Sequence, residues 1–230
     1  MRICVISDIH SNVFALKAAL KEIDELHPDK IICLGDIVGN GAFPEETVEV
    51  FRKRRDIIPV KGNHDAIVLM DLSSWSHNDP RVNMFRWQAK VLTSASKKYL
   101  AGLQKEYRFE YGGKEIVCFH YPIMRGGRFY PPEYLPTDEQ IARMFAKERG
   151  DVFFFGHEHT GSFHEIDGRY YLNFGSTGNL VEENSARYGV TDITADGKVK
   201  YELKKAYYDD SVYCEKTKII SDVLNSAKRQ

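Results

Sequence analysis

The chain has 230 residues, 43% hydrophobic and 28% charged, the composition of a globular protein with a sizeable core. Its 32 basic and 33 acidic residues leave a formal net charge of -1, so no broad electrostatic drive toward nucleic acid or an anionic membrane exists, and nucleic acid is a poor candidate partner. MRICVISDIHSN reaches Asp8 and His10 too early for a signal-peptide apolar region, and no run approaches the roughly 18 apolar residues of a membrane span. A cytoplasmic protein is therefore expected.

RICVIS at 2–7 reads as a buried strand, and the following NVFALKAALKEIDEL sets Leu16, Ala19, Leu20, Ile23 and Leu26 at helical spacing with Asn12 as N-cap. KIICLG at 30–35 repeats the strand signal, PEETVEVFRKRR begins with Pro44 at a helix-start position, and DIIPVKG at 56–62 is a third short strand. This β-α-β-α-β order implies parallel strands with helices on the sheet faces. After a polar-aromatic stretch, 71–81, a helix is expected over 82–103, then a hairpin from EYRFEY, Gly112-Gly113 and KEIVCFH. Thr137 with Gln140 is a capping-box pattern opening the helix DEQIARMFAKE, and DVFFFG at 151–156 is the next strand. SFHEI with RYYLNF and RYGVTDI with KVKYEL make two more hairpins, and the last twenty or so residues read as a helix with Ile219, Ile220, Val223 and Leu224 grouped. Residues 1–230 are expected to form one α/β domain, its sheets parallel in the first half and antiparallel in the second. Cys4, Cys33, Cys118 and Cys214 contain no CxxC pair and read as small packing residues.

The strand ends carry the chemistry. ICVIS runs into Asp8-Ile9-His10, IICLG into Asp36, IIPVKG into Asn63-His64-Asp65, IVCF into His120, and VFFFG into His157-Glu158-His159. Ligand crevices of open α/β sheets lie outside the carboxyl ends of their strands, so these groups are expected to converge. Alternation along an extended segment would send Asp8 with His10, and His157 with His159, to one side. Glycines before Asp36, Asn63 and His157 allow tight turns and close backbone approach. Asp8, His10, Asp36, Asn63, His120, His157 and His159 offer carboxylate, amide and imidazole without thiolate. Seven such groups are too many for one ion with an open position and suit two divalent ions sharing a carboxylate, from the set Mn, Fe, Zn, Ni, Co or Mg.

DIH, GDIVGNG, GNHD, the single His120 and GHEH together resemble the calcineurin-like metallophosphoesterase superfamily, in particular its small single-domain prokaryotic members. The resemblance implies a two-sheet αββα sandwich with mixed parallel and antiparallel strands. It also implies one metal held by Asp8, His10, Asp36 and His159, a second by Asp36, Asn63, His120 and His157, and Asp36 as the bridge. His64 would protonate or stabilise the leaving oxygen and Asp65 would orient His64. Two cations, with manganese the first choice, would activate a bridging hydroxide for in-line attack, so no Ser or Cys nucleophile is required. LNFGSTGN at 172–179 departs from the proline-glycine version often found after GHxH in the family.

Arg125 and Arg128, in the aromatic and glycine-rich segment after His120, are candidate phosphate contacts, and Asn40 could line the site. The expected activity is hydrolysis of a small phosphodiester, phosphomonoester or nucleotide. The alternatives are a dinucleoside-polyphosphate hydrolase and a noncatalytic protein-binding scaffold of the same fold. His27 and His164 fall outside the strand-end pattern and read as structural or solvent-facing.

Overall fold

The computed structural model describes residues 1–124, 129–131, 133–179 and 184–226. Two five-stranded sheets form its centre. In the first, β1 (Arg2–Ile6), β2 (Lys30–Cys33) and β3 (Ile57–Pro59) run parallel, and β1 is joined on its other side by the antiparallel pair β9 (Ser185–Ile193) and β10 (Val199–Tyr207). The second takes the order β4-β5-β6-β8-β7, from β4 (Glu106–Tyr111), β5 (Lys114–Phe119), β6 (Val152–Phe155), β7 (Ser162–Ile166) and β8 (Arg169–Asn173).

Alternation along the strands sorts the core into layers. Ile3, Val5, Ile32 and Leu34 of the first sheet meet Ile116, Cys118, Val152, Phe154 and Leu172 of the second in one buried cluster. The alternate residues Cys4, Ile6 and Cys33 turn to the opposite face, against Leu16, Ala19 and Ile23 of α1 (Val13–Glu25) and Val48 and Phe51 of α2 (Pro44–Lys53). On the far side, Phe153 and Phe155 pack with Ile141 and Met144 of α6 (Asp138–Met144). The layers are helix, sheet, sheet, helix. Each fully buried Phe or Ile side chain contributes about 1.5–3 kcal/mol, so the intersheet layer is the main fastening of the two sheets.

Local signals set several element ends. The Asn12 side chain accepts from the Ala15 amide at the start of α1, Pro44 opens α2, and Thr137 and Gln140 form the reciprocal capping box of α6. The helix expected over 82–103 is instead two, α4 (Pro80–Val91) and α5 (Ser94–Ala101). Leu92 and Thr93 are extended between them, and Thr93 caps α5 by accepting from the Ser96 amide. Glu45 of α2 then accepts from the Thr93 amide and hydroxyl and the Ser96 hydroxyl, a tertiary contact that fixes the break. The second sheet also departs from the antiparallel expectation, because β5, β6 and β8 are parallel, while the β9/β10 hairpin joins the first sheet. α7 (Ser211–Ser226) does not present its apolar stripe as one face: Ile220 packs near Phe43 and Val13, whereas Ile219 and Val223 are exposed. Among the described residues no helix is long and apolar enough to cross a membrane. Cys4, Cys33 and Cys118 are buried packing residues, and Cys214 is exposed.

Candidate metal centre

The loops leaving β1 and β2 run side by side. Asp8 N–H donates to the Gly35 carbonyl, His10 N–H to Asp36 and Ser11 N–H to Ile37, each at 3.0 Å. These loops are not extended: Asp8, His10 and Asp36 have φ of 51°, and His157 has 71°. Simple i, i+2 alternation is thus not what brings Asp8 beside His10 or His157 beside His159; left-handed turns do it. A non-glycine residue held there costs on the order of 1–2 kcal/mol, and such strain collects at functional sites because the surrounding bonds over-determine it. Asn63 and His64 begin α3 (Asn63–Ile67), a short helix in place of a plain strand end.

The seven side chains meet. His10 Nε2 and His159 Nε2 are 3.1 Å apart, and Asp8 Oδ1 is 3.6 Å from His159 Nε2 and 3.9 Å from His10 Nε2. His120 Nε2 lies 2.9 Å from Asn63 Oδ1, 3.2 Å from His157 Nδ1 and 3.4 Å from Asp36 Oδ2. Three overlapping groups, Asp8/His10/His159, His10/Asp36/His64 and Asp36/His120/His157, each bring their ligand atoms within 4.8 Å of one another. The chain runs continuously from one end of the cluster to the other through His10 and Asp36.

Each carboxylate divides its labour. Asp8 Oδ2 accepts from the Ser7 hydroxyl at 2.6 Å and the His157 amide at 3.0 Å, whereas Asp8 Oδ1 is buried with no hydrogen-bond partner. Asp36 Oδ1 accepts from the His64 amide at 2.8 Å, leaving Oδ2 to face His120. Gly62 is required beside it, since a Cβ there would overlap the Asp36 carboxylate and amide. A buried carboxylate oxygen without a donor, surrounded by imidazoles, fits a divalent cation, because leaving it unpaired is costly. Oxygen and nitrogen donors without sulfur fit the harder divalent metals.

Electrostatics and hydrogen bonds set the ligand states. Burial acts against the Asp8 carboxylate, but the contact with His159 and the His120 charge hold its pKa down to about 2. Asp36 likewise lies well below the usual carboxylate range, chiefly through the His120 and His64 charges acting against burial. Burial and the His64 charge lower His10 to about 3, and burial and the His120 charge lower His157 to about 4. His120 goes the other way: burial would lower it, but the Asp36 charge raises it to about 9. His120 Nδ1 lies 2.8 Å from the Leu34 carbonyl, so it carries a proton and directs Nε2 to the cluster. His159 Nδ1 lies 3.2 Å from the Asn179 side-chain amide nitrogen, and its Nε2 faces His10 Nε2 and Asp8 Oδ1.

The family model of the calcineurin-like phosphoesterase superfamily domain matches residues 1–196. The chain belongs to this superfamily. It is 34% identical over 228 residues to the uncharacterized protein MJ0912 of Methanocaldococcus jannaschii, covering 89% of this chain and 90% of that one. Its fold is similar to that of a metallophosphoesterase from Sphaerobacter thermophilus, with 24% identity, 98% of both chains covered and a TM-score of 0.72. It is also similar to the hypothetical protein PH1004 of Pyrococcus horikoshii, with 20% identity, coverage of 99% and 93% and a TM-score of 0.77.

In this chain His64 is half-buried with its ring against His10 and Phe85, and its Nε2 lies 3.8 Å from Asp36 Oδ2. The orienting contact expected from Asp65 is not made. Asp65 Oδ1 accepts from the Val38 amide at 3.1 Å and Oδ2 from the Gly62 amide at 2.9 Å, while His64 Nδ1 is buried without a partner. Asp65 is the third residue of α3, and one helical turn aims its carboxylate back at the amide opening its own helix. It therefore fastens the Gly62 turn to the loop after β2, and burial with the nearby Asp36 charge raises its pKa to about 7. Asn40 is half-buried in a left-handed conformation, φ 56°, on the loop next to Gly39. Arg125 and Arg128 lie outside the described residues. His164 pairs with Asp138 at 2.7 Å, away from the centre.

Two residues that the motifs do not reveal support the centre. Gln88 of α4, fully buried, accepts from the Gly39 amide at 2.9 Å and donates to the Gly41 carbonyl at 2.7 Å and the Ser11 hydroxyl at 3.1 Å. A polar residue on the apolar face of a helix was the available signal. Asn179, beside His159, sits in the loop after β8 and had none beyond its place in LNFGSTGN.

Proposed function

We propose that the chain is a cytoplasmic two-metal hydrolase of small organic phosphate esters, diesters or monoesters, with Mn²⁺ the first choice of ion. Asp8, His10, Asp36 and His159 would hold one ion, and Asp36, Asn63, His120 and His157 the other, Asp36 serving both. The observation that carries this reading is the buried, unpartnered Asp8 Oδ1 among three imidazole and carboxylate groups that overlap through His10 and Asp36. When bound, two divalent ions in such a site supply Lewis-acid clamping of phosphoryl oxygens and a water of lowered pKa.

The chain's own residues do the rest. Asp8 and Asp36, both ionised at neutral pH, offer negative charge at one end and in the middle of the cluster. His64 turns Nε2 toward Asp36 and keeps its ring partly exposed, so it is the group assigned to give a proton to the departing oxygen. A general acid of this kind typically contributes about 10²- to 10⁴-fold to the rate. Gln88 and Asp65 hold the two loops that carry His64 and Asp36 in register. Because His64 also completes a group with His10 and Asp36, its variant discriminates the roles: His64→Ala should keep both ions and lose most turnover. Loss of an ion instead would reassign His64 as a ligand.

The test strips the protein of metal, refills it with Mn²⁺ and assays a chromogenic phosphodiester, a phosphomonoester and a diadenosine polyphosphate. Metal-dependent turnover of at least one is expected, and preference for the third would select the dinucleoside-polyphosphate reading. Two bound ions with turnover of none would favour the noncatalytic scaffold.

A further inference from the structure

We propose that the site carries a subsite for an uncharged, apolar arm of the substrate, of the size of an aryl ring or nucleobase; this rests on the phosphoesterase reading above. A cavity of about 770 Å³ opens directly beside Asn63 and His120, within the volume range of small-organic-molecule sites. One of its walls comes from α3. Residues at i, i+3 and i+4 share a helix face, so the turn that offers the Asn63 amide to the metal centre also lays Ala66 and Ile67 along the cavity. Met70 extends that wall.

A second stretch of lining follows His120. Ile123 and Phe129 pair through an isolated antiparallel bridge, and both line the cavity. The Phe129 ring stacks on His157 at 5.9 Å and meets His120 edge-on at 5.7 Å. An arm lying against Phe129 would therefore begin where the phosphoryl group is held. Met70 and Ile123 are 52% and 44% exposed at the rims, large apolar surface that a planar arm would cover. A methionine rim also adapts to aromatic surfaces of differing shape.

Charge argues for a neutral arm. Among the described residues, the charged side chains lining the cavity are Lys61 and Lys105 against Glu106 and Glu148, which balance. The Lys61 ammonium is already donating to the Ala101 carbonyl at 2.8 Å. Among the described lining residues none selects a second anionic group, and a polyol arm such as glycerol or a sugar would leave the apolar walls uncovered.

The experiment compares phenylphosphonate with methylphosphonate by calorimetry on Mn²⁺-loaded protein, using wild type, Met70→Gln and Ile123→Gln. Both replaced residues are on exposed rims, and thermal melting checks that the variants fold. Phenylphosphonate should bind about tenfold or more tightly than methylphosphonate, from burial of the ring, and each variant should reduce that ratio severalfold. Equal affinity of the two phosphonates for wild type, or an unchanged ratio in both folded variants, overturns the subsite while leaving the phosphoesterase reading intact. Failure of both phosphonates to bind the loaded protein would remove the phosphoesterase reading itself, and the subsite with it.

Discussion

Metal uptake should release a proton from His120, and the amount follows from its surroundings. Opposed by burial but dominated by the Asp36 charge, its pKa stands at about 9, so at pH 7 the metal-free imidazole is charged. Nδ1–H can go on donating to the Leu34 carbonyl while Nε2 gives up its proton to bind an ion. The sign is fixed: protons compete below pH 9, so apparent affinity weakens as pH falls through this window, by about tenfold per unit or 1.4 kcal/mol. Two units below the pKa, at pH 7, the cost is about a hundredfold. The other ligands do not obscure it: His10 and His157, lowered to about 3 and about 4, are already neutral there, and Asp8 and Asp36 are already ionised. Only His159, also raised, adds to the release. Titration of metal-free protein with Mn²⁺ at pH 7, in two buffers of different ionisation enthalpy, should report about one proton from His120, with any further release coming from His159. Binding with no buffer-dependent heat, and an affinity unchanged between pH 7 and pH 8, would refute the reasoning.

Three substitutions test the scaffold around the ligands. Gly39→Ala sets a Cβ onto His64 Nδ1 at a φ of 100°, so turnover should fall about 10²-fold with both ions retained, measured by parallel kinetics and metal analysis. Asn179→Ala removes the partner of His159 Nδ1 and should weaken Mn²⁺ binding about 10- to 100-fold; affinity within twofold of wild type in a competition titration would contradict that role. Gln88→Leu leaves the Gly39 amide and Gly41 carbonyl without partners in a buried setting, and urea unfolding should register a loss of about 2–5 kcal/mol.

The candidate ligands were legible because parallel strands deliver their C-terminal residues to one edge, and each apolar run stopped at a carboxylate, amide or imidazole. Hairpins and caps were legible for the same local reason: Thr137 with Gln140, and the glycine-containing turns between strands, act within a few residues. What was not legible depends on distant partners. Glu45 holds the break at Thr93 from 48 residues away, and the Thr93 cap by itself does not announce it within an otherwise helical stretch. Sheet membership of the β9/β10 hairpin is decided by β9 pairing with β1 at the other end of the chain. The left-handed turns at Asp8, His10 and Asp36 escape the pattern because two loops over-determine them by hydrogen-bonding to each other. Asp65 was misassigned as the partner of His64 because the sequence conceals that Asn63 starts a helix, which turns the carboxylate to Gly62.

Anomalous diffraction at the manganese edge, from crystals of the Mn²⁺-loaded protein, tests the central claim most directly. Two peaks are predicted, one among Asp8, His10 and His159 and one among Asn63, His120 and His157, both in contact with Asp36. A single peak, or peaks remote from Asp36, would contradict the account.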